Sequence, residues 1–394
     1  MGPVLLMLAL PPFVYWLWIS LAFHDGAPAV SIPAMALEAA RPTAAMLLLY
    51  IGWWGLQAAL AIVLPGRTVE GTPLADGSRL RYRLNGWLAF WITLALAALA
   101  ALTGVLPPAL AWERFGALLT AANLFSFAFA AWLWRRFAET RRAPVRTFFA
   151  GAALNPRVDD FDLKFFCETR PGLLLWALVV LSLAAAQWQR HGAVSAPMAL
   201  LVLFQLVYVG DCMFHEAAIL STWDIRHERF GWMLAWGSLV WVPFTFSLQA
   251  YYLVDHTPAF SRGALAAIAA LNVAGYVVFR ASNLQKHRFR LDPARPVWGR
   301  PARYIRTARG PLLLASGWWG VARHLNYLGD IMMALAWCLL TGFATPLTYF
   351  YAVYMLVLLV HRERRDHAQC QARYGEDWTR YCHAVRWRIL PGIY

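Results

Sequence analysis

The sequence predicts an all-α, polytopic integral membrane protein with about ten transmembrane helices and a cofactor site in its C-terminal half. Three observations carry the fold class. Hydrophobic residues fill 60% of the 394 positions and charged residues only 14%, against roughly 45–50% and 25% in soluble domains. The apolar residues gather into long runs free of Asp, Glu, Lys and Arg. The cations between those runs alternate strongly from one side to the other, as cytoplasmic and opposite loops do.

A bilayer core about 30 Å thick takes about 20 residues of helix. Eight runs meet that need, near residues 3 to 23, 43 to 64, 86 to 110, 115 to 134, 173 to 188, 193 to 210, 231 to 254 and 263 to 279. The first begins at once, without a basic leader or a small-residue cleavage site, and reads as a retained span. Residues 331 to 360 are also uncharged, but a continuous helix of that length would measure about 45 Å, too long for one upright span. Gly342 and Pro346 divide it into two helices that turn at Gly342-Phe-Ala-Thr-Pro346. Ten segments place both termini on the same side.

The net charge is +14, from 35 Lys and Arg against 21 Asp and Glu. A surplus of that size suits a nucleic-acid binder, yet the apolar fraction excludes that class. In the ten-segment arrangement 31 of the 35 cations fall on one side and four, Arg41, Arg114, Arg190 and Arg262, on the other. The cation-rich side is cytoplasmic by the positive-inside rule. The expectation is therefore a multi-pass protein with both termini cytoplasmic, in a bacterial inner membrane or the endoplasmic reticulum. The five cysteines form no CxxC pair and read as free thiols.

Chemistry concentrates after residue 145, where polar groups crowd the ends of the spans. Asn155-Pro-Arg-Val-Asp-Asp-Phe-Asp-Leu-Lys164 and Glu168-Thr-Arg170-Pro-Gly172 read as an amphipathic cytoplasmic segment whose Pro171 starts a helix. Tyr208, Asp211 and His215 share a helical stripe at i, i+3, i+7, with Glu216 beside them. They suit either an interfacial anchor or proton delivery from a desolvated acid. If helical, Asn283, Lys286 and Arg290 share one face at i, i+3, i+7, as a lipid-facing basic patch or as cations for a phosphate. The chain has no GxGxxG or P-loop, so a phosphate-bearing cofactor would need such side chains.

Trp319, Arg323, Asn326 and Asp330 fall at i, i+4, i+7, i+11, a polar and aromatic stripe leading into the apolar run, with Tyr327 alongside. Such a stripe resembles the wall of a cofactor slot. In the tail, Arg362 and Asp366 form an i, i+4 pair just past the last span, either a surface ion pair or ligand-facing groups, followed by Tyr374 and Tyr381. His361, His367, Cys370 and Cys382 match no familiar metal spacing, and no metal is expected.

At these clusters the chain resembles the membrane sterol reductase family: sterol Δ14-, Δ7- and Δ24(28)-reductases and the reductase domain of the lamin B receptor. The resemblance covers about residues 66 to 394. Besides the clusters above it rests on Asp76-Gly77 with Tyr82-Arg-Leu-Asn85-Gly86, on Asp224-Ile, Phe230-Gly-Trp-Met-Leu, Trp241-Val-Pro-Phe and Gln249, and on Pro391-Gly-Ile-Tyr394. With the change of character near residue 145, the expected division is four N-terminal transmembrane helices over residues 1–145 and a reductase core over 146–394.

The activity implied is NADPH-dependent reduction of a sterol carbon–carbon double bond, with a planar apolar substrate entering from the bilayer. An isolated alkene accepts hydride poorly, so protonation to a tertiary carbocation would precede hydride transfer. By motif position the resemblance puts Lys286, Arg290 and Arg362 around the cofactor phosphates. Trp319, Arg323, Asn326, Tyr327, Asp330, Tyr374 and Tyr381 line the slot, and Tyr208 and Asp366 lie near the nicotinamide and the alkene, with Glu216 a further catalytic candidate. The Δ14 bond is the leading substrate position, with Δ7 and a side-chain bond as alternatives. The Arg323-His, Asn326-Tyr-Leu-Gly and Tyr374-Gly pattern is also similar to isoprenylcysteine carboxyl methyltransferases, which bind S-adenosylmethionine. A non-catalytic sterol-binding protein is a third reading.

Overall fold

The structure is a computed structural model that describes residues 2–74, 77–138 and 143–394. Asp76, the first residue of one motif above, lies outside the described residues, as do Arg141 and Arg142. Among the described residues the chain is mostly helical. Six helices are long and apolar enough to cross a membrane: Gly2–Phe23, Ala44–Val63, Phe115–Phe137, Leu163–His191, Ala196–Phe214 and Arg262–Leu291. Two shorter apolar helices are Gly86–Leu102 and Leu325–Leu339. This is the build of a polytopic membrane protein.

The seventh expected span is not one α-helix. Residues 231 to 254 form Trp232–Trp236, a π-turn at Gly237–Trp241, then Val242–Thr245 and Leu248–Leu253. Pro243 has no N–H to give to the carbonyl four residues back, at Leu239. In an apolar interior that carbonyl needs another donor, and the buried Tyr50 hydroxyl donates to it at 2.7 Å.

The turn inside the long apolar run forms where glycine and proline predict it. Leu325–Leu339 ends before Gly342, which has φ +71°, a left-handed conformation that favours glycine. A 3₁₀ turn at Pro346–Tyr349 then leads into the helix Phe350–Tyr374. Thr341 Oγ1 donates to Thr348 Oγ1 at 2.7 Å across the turn.

The chain divides into two compact units, Met1–Thr257 and Pro258–Tyr394. The compositional change at residue 145 falls inside the first. In that unit the fully buried Lys164 ammonium donates to the carbonyls of Asp224, Ile225 and Glu228 at 2.8–2.9 Å. The Asn155–Gly172 block is thereby tied to the loop before Phe230. Three small antiparallel hairpins stand in the connecting segments: Arg67–Glu70 with Arg81–Leu84, Arg157–Val158 with Phe161–Asp162, and Tyr304–Arg306 with Leu312–Leu314.

In the second unit the helix Arg262–Leu291 runs for 30 residues, about 45 Å, well past the span expected to end at 279. It lies against Leu325–Leu339 through two glycines. A Cβ on Gly275 would stand 2.8 Å from Gly329 O, and one on Gly329 would stand 2.6 Å from Gly275 O. Backbones this close are what small residues at a membrane-helix contact allow. The contact sets Asp330 within electrostatic reach of Arg280.

Candidate functional site

In the first unit, Tyr208 lies on the helix Ala196–Phe214, its ring 5.9 Å from that of Trp176. His215 ends the helix and reaches back to Asp211 Oδ1 at 3.1 Å, as the i, i+4 spacing dictates.

Glu216, a catalytic candidate from the sequence, lies buried in an ion pair with Arg170. Its side chain is 3% exposed, with Oε1 2.5 Å from Arg170 Nη2 and Oε2 accepting from the backbone N–H of Gly86 at 2.8 Å. Arg170, 2% exposed, also donates to Asn85 Oδ1 at 2.8 Å. Burial pushes the Glu216 carboxyl up, and the Arg170 charge with the Gly86 and Asn85 N–H groups draws it back. A carboxylate at the start of the helix Gly86–Leu102 also meets that helix's positive end. Both oxygens are committed, so Glu216 is a clamp that joins residues 85, 86 and 170.

The second unit gathers most of the other candidates. Lys286 lies on Arg262–Leu291 with its ammonium 3.7 Å from the centre of the Trp319 ring, a cation–π contact. Trp319 is 4% exposed and donates its indole N–H to Ser282 O at 2.7 Å. The ring thus belongs to the wall that holds Lys286. Arg290 shares the face of Lys286 and is exposed, and Lys286 lies within electrostatic reach of both Arg290 and Asp366.

The helical stripe Trp319, Arg323, Asn326, Asp330 does not exist as one helix. Trp318–Val321 is a single turn, Ala322 is extended and pairs in parallel with Trp387, and Leu325–Leu339 starts afresh. The backbone N–H groups of Arg323 and His324 donate to the carbonyls of Trp387 and Arg388 at 2.9 and 2.8 Å. Arg323 then turns inward, 5% exposed, and donates to Val385 O at 3.0 Å. Its described bonds fasten the tail, whereas the sequence assigned it to a cofactor.

Asn326 and Asp330, one turn apart on Leu325–Leu339, remain side by side. Asn326 Oδ1 and Asp330 Oδ1 are shielded from solvent and accept no hydrogen bond from any described residue. Arg362 and Arg280 are the cations in electrostatic reach of the Asp330 carboxylate.

Asp366, on Phe350–Tyr374, is half-buried and meets His324. His324 Nε2 stands 3.4 Å from Asp366 Oδ2, and Cys370 Sγ lies 3.8 Å from the same oxygen. Desolvation works to raise the Asp366 carboxyl, but the His324 hydrogen bond and the His324 and Lys286 charges outweigh it and hold the acid below the usual carboxylate range. Tyr327 stacks on His324 with ring centres 4.8 Å apart.

Tyr381, 4% exposed, packs with Trp378 and Val385, and Tyr374 borders that cluster. His324 is the neighbour the sequence did not single out. Its signal, an imidazole next to Arg323, has no period and no motif. Among the described residues no group of three or more His, Cys, Asp or Glu could hold a metal ion, and all five cysteines are free thiols.

A family model described as the ergosterol biosynthesis ERG4/ERG24 family matches residues 29–394. The chain is 50% identical to the Delta(14)-sterol reductase of Methylotuvimicrobium alcaliphilum, over 99% of its own length and 94% of that protein's. It is 41% identical to the Delta(14)-sterol reductase of Dictyostelium discoideum, covering 100% of this chain and 90% of that one. The Delta(14)-sterol reductase of Ascobolus immersus is 39% identical, with 100% and 98% covered.

Proposed function

The chain belongs to the ergosterol biosynthesis ERG4/ERG24 family, and on that footing we propose that it reduces the Δ14 carbon–carbon double bond of a sterol with NADPH as reductant. The choice of the Δ14 bond rests on one observation: proteins named Delta(14)-sterol reductase match this chain at 39–50% identity from end to end. The family match takes in the first unit as well as the C-terminal pattern, which sets the methyltransferase reading aside.

The residues of the second unit fit a reduced dinucleotide. When bound, that group supplies a hydride. Lys286, Arg290 and Arg362 would meet its phosphates, as cations must where no glycine-rich loop exists. Asn326 Oδ1 and Asp330 Oδ1, two shielded acceptors without a donor among the described residues, suit hydroxyl or carboxamide hydrogens. Trp319 holds Lys286 in place by its ring.

For the substrate, a proton must reach one alkene carbon so that the positive charge settles on the more substituted one. Tyr208 is the proposed proton carrier of the first unit. Asp366 is the proposed anion of the second, held ionised to orient a proton or balance the developing charge. A ten-span topology with both termini cytoplasmic is supported by the 31-to-4 distribution of cations that it gives. The residues assigned to chemistry all lie after residue 145.

Purified protein supplied with NADPH and a Δ8,14-sterol diene is expected to give a product heavier by two hydrogens on mass spectrometry, with the Δ8 bond retained. Recovery of unchanged diene would overturn the reading. Changing Lys286 and Arg290 together to Ala is expected to raise KM for NADPH at least tenfold, and KM for NADH far less, if the pair meets the 2′-phosphate. Equal effects on both cofactors would make the pair a lipid-facing patch, and steady-state kinetics with each cofactor decides it.

A further inference from the structure

We propose that His324 is a positioning residue for Asp366, and that the folded tail from Val385 to Tyr394 sets its place. The inference rests on the reductase reading above and adds a part to it.

Three contacts fix the imidazole, each from a different part of the chain. Its backbone N–H donates to Arg388 O at 2.8 Å. Its ring lies 4.8 Å from the Tyr327 ring with only 17° between the planes. Its Nε2 then faces Asp366 Oδ2 at 3.4 Å. The residue is 7% exposed, so the imidazole side of this contact is shut away from water, while the Asp366 side chain is 31% exposed. A ring held at its backbone, its face and its edge has little rotational freedom left, which is what orienting a partner requires.

The tail is anchored to the helix that carries Asp366. Arg388 Nη1 donates to Glu363 Oε2 at 3.0 Å, and the Tyr394 hydroxyl donates to the same oxygen at 3.1 Å. Glu363, whose side chain is fully buried, stands three residues before Asp366 on Phe350–Tyr374. The tail therefore binds the Asp366 helix with its side chains and His324 with its backbone. One segment fixes both members of the pair.

Both described polar contacts of Asp366, from His324 and Cys370, are made to Oδ2. Lys286, on the helix Arg262–Leu291, is the other charge in reach. Anchoring Oδ2 turns Oδ1 to a single direction. Without the imidazole the carboxylate would rotate between Lys286 and solvent, and its contribution to turnover would fall while cofactor binding by Lys286, Arg290 and Arg362 stayed.

The test uses the full-length protein in detergent or lipid, with sterol-product formation and thermal midpoint measured for each variant. His324→Phe keeps the ring against Tyr327 and removes the donor. It is expected to lower kcat by about tenfold to a hundredfold, with KM for NADPH within threefold of the unmodified chain and the thermal midpoint nearly unchanged. His324→Gln, whose side-chain amide can place a donor near the Nε2 position, is expected to recover most of kcat. An unchanged kcat in His324→Phe overturns the proposal, as does a loss confined to KM. So does a deficit of equal size in His324→Gln, which marks a merely structural role. If the unmodified protein itself reduces no diene, the reductase reading has failed instead, and the two failures are distinct.

Discussion

Replacing Glu216 with alanine is expected to cost about 3–5 kcal/mol of stability, because it leaves the buried Arg170 guanidinium without its counter-charge. The two side chains are 2% and 3% exposed and 2.5 Å apart. The same change strips the acceptor from the Gly86 N–H, and an unpaired buried donor carries its own penalty of about 1–3 kcal/mol. Nor can the neighbours fill the gap: a Cβ on Gly86 would already collide with the Arg170 guanidinium. Thermal unfolding of the purified variant should show a large drop in midpoint. Glu216→Gln, which keeps an acceptor but loses the charge, should fall between the two. Replacing Arg170 and Glu216 together with methionine should cost less than Glu216→Ala alone, since no charge is then stranded. A Glu216→Ala protein with an unchanged midpoint would contradict the clamp and return Glu216 to the catalytic candidates.

Asp366→Asn is expected to lower turnover by about 10²- to 10⁴-fold, the range typical of losing a positioned acid or base, while the protein stays folded. Asparagine keeps the shape and an oxygen for the His324 hydrogen bond, so packing against His324 and Cys370 survives. The negative charge facing Lys286 is lost. A fall in kcat with a preserved thermal midpoint is the expected signature, read from product formation at saturating NADPH. Activity within threefold of the unmodified chain would remove Asp366 from the chemistry and leave it as a hydrogen-bond partner of His324.

Which parts of the site were legible beforehand follows from how local their causes are. Lys286 and Arg290 share one face because a helix has a fixed period, and Arg262–Leu291 is a helix throughout. Asn326 and Asp330 keep their one-turn spacing for the same reason. The stripe from Trp319 to Asp330 failed because the N–H groups of Arg323 and His324 go to Trp387 and Arg388, more than 60 residues away. An N–H spent on a distant carbonyl is lost to its own helix, and no local pattern announces that exchange.

The sequence by itself determined the solvent this chain lives in, the order of its apolar segments, the turn at Gly342 and Pro346, and the family it belongs to. Those follow from composition, from period and from residues whose backbone preferences are their own. Only the tertiary structure decided that Glu216 is a clamp, that Tyr50 serves the Leu239 carbonyl above Pro243, that Arg323 fastens the tail, and that His324 faces Asp366. In each case a polar group shut away from water had to find a partner, and several elements could have offered one. Which of them did was settled by packing between segments far apart in the chain.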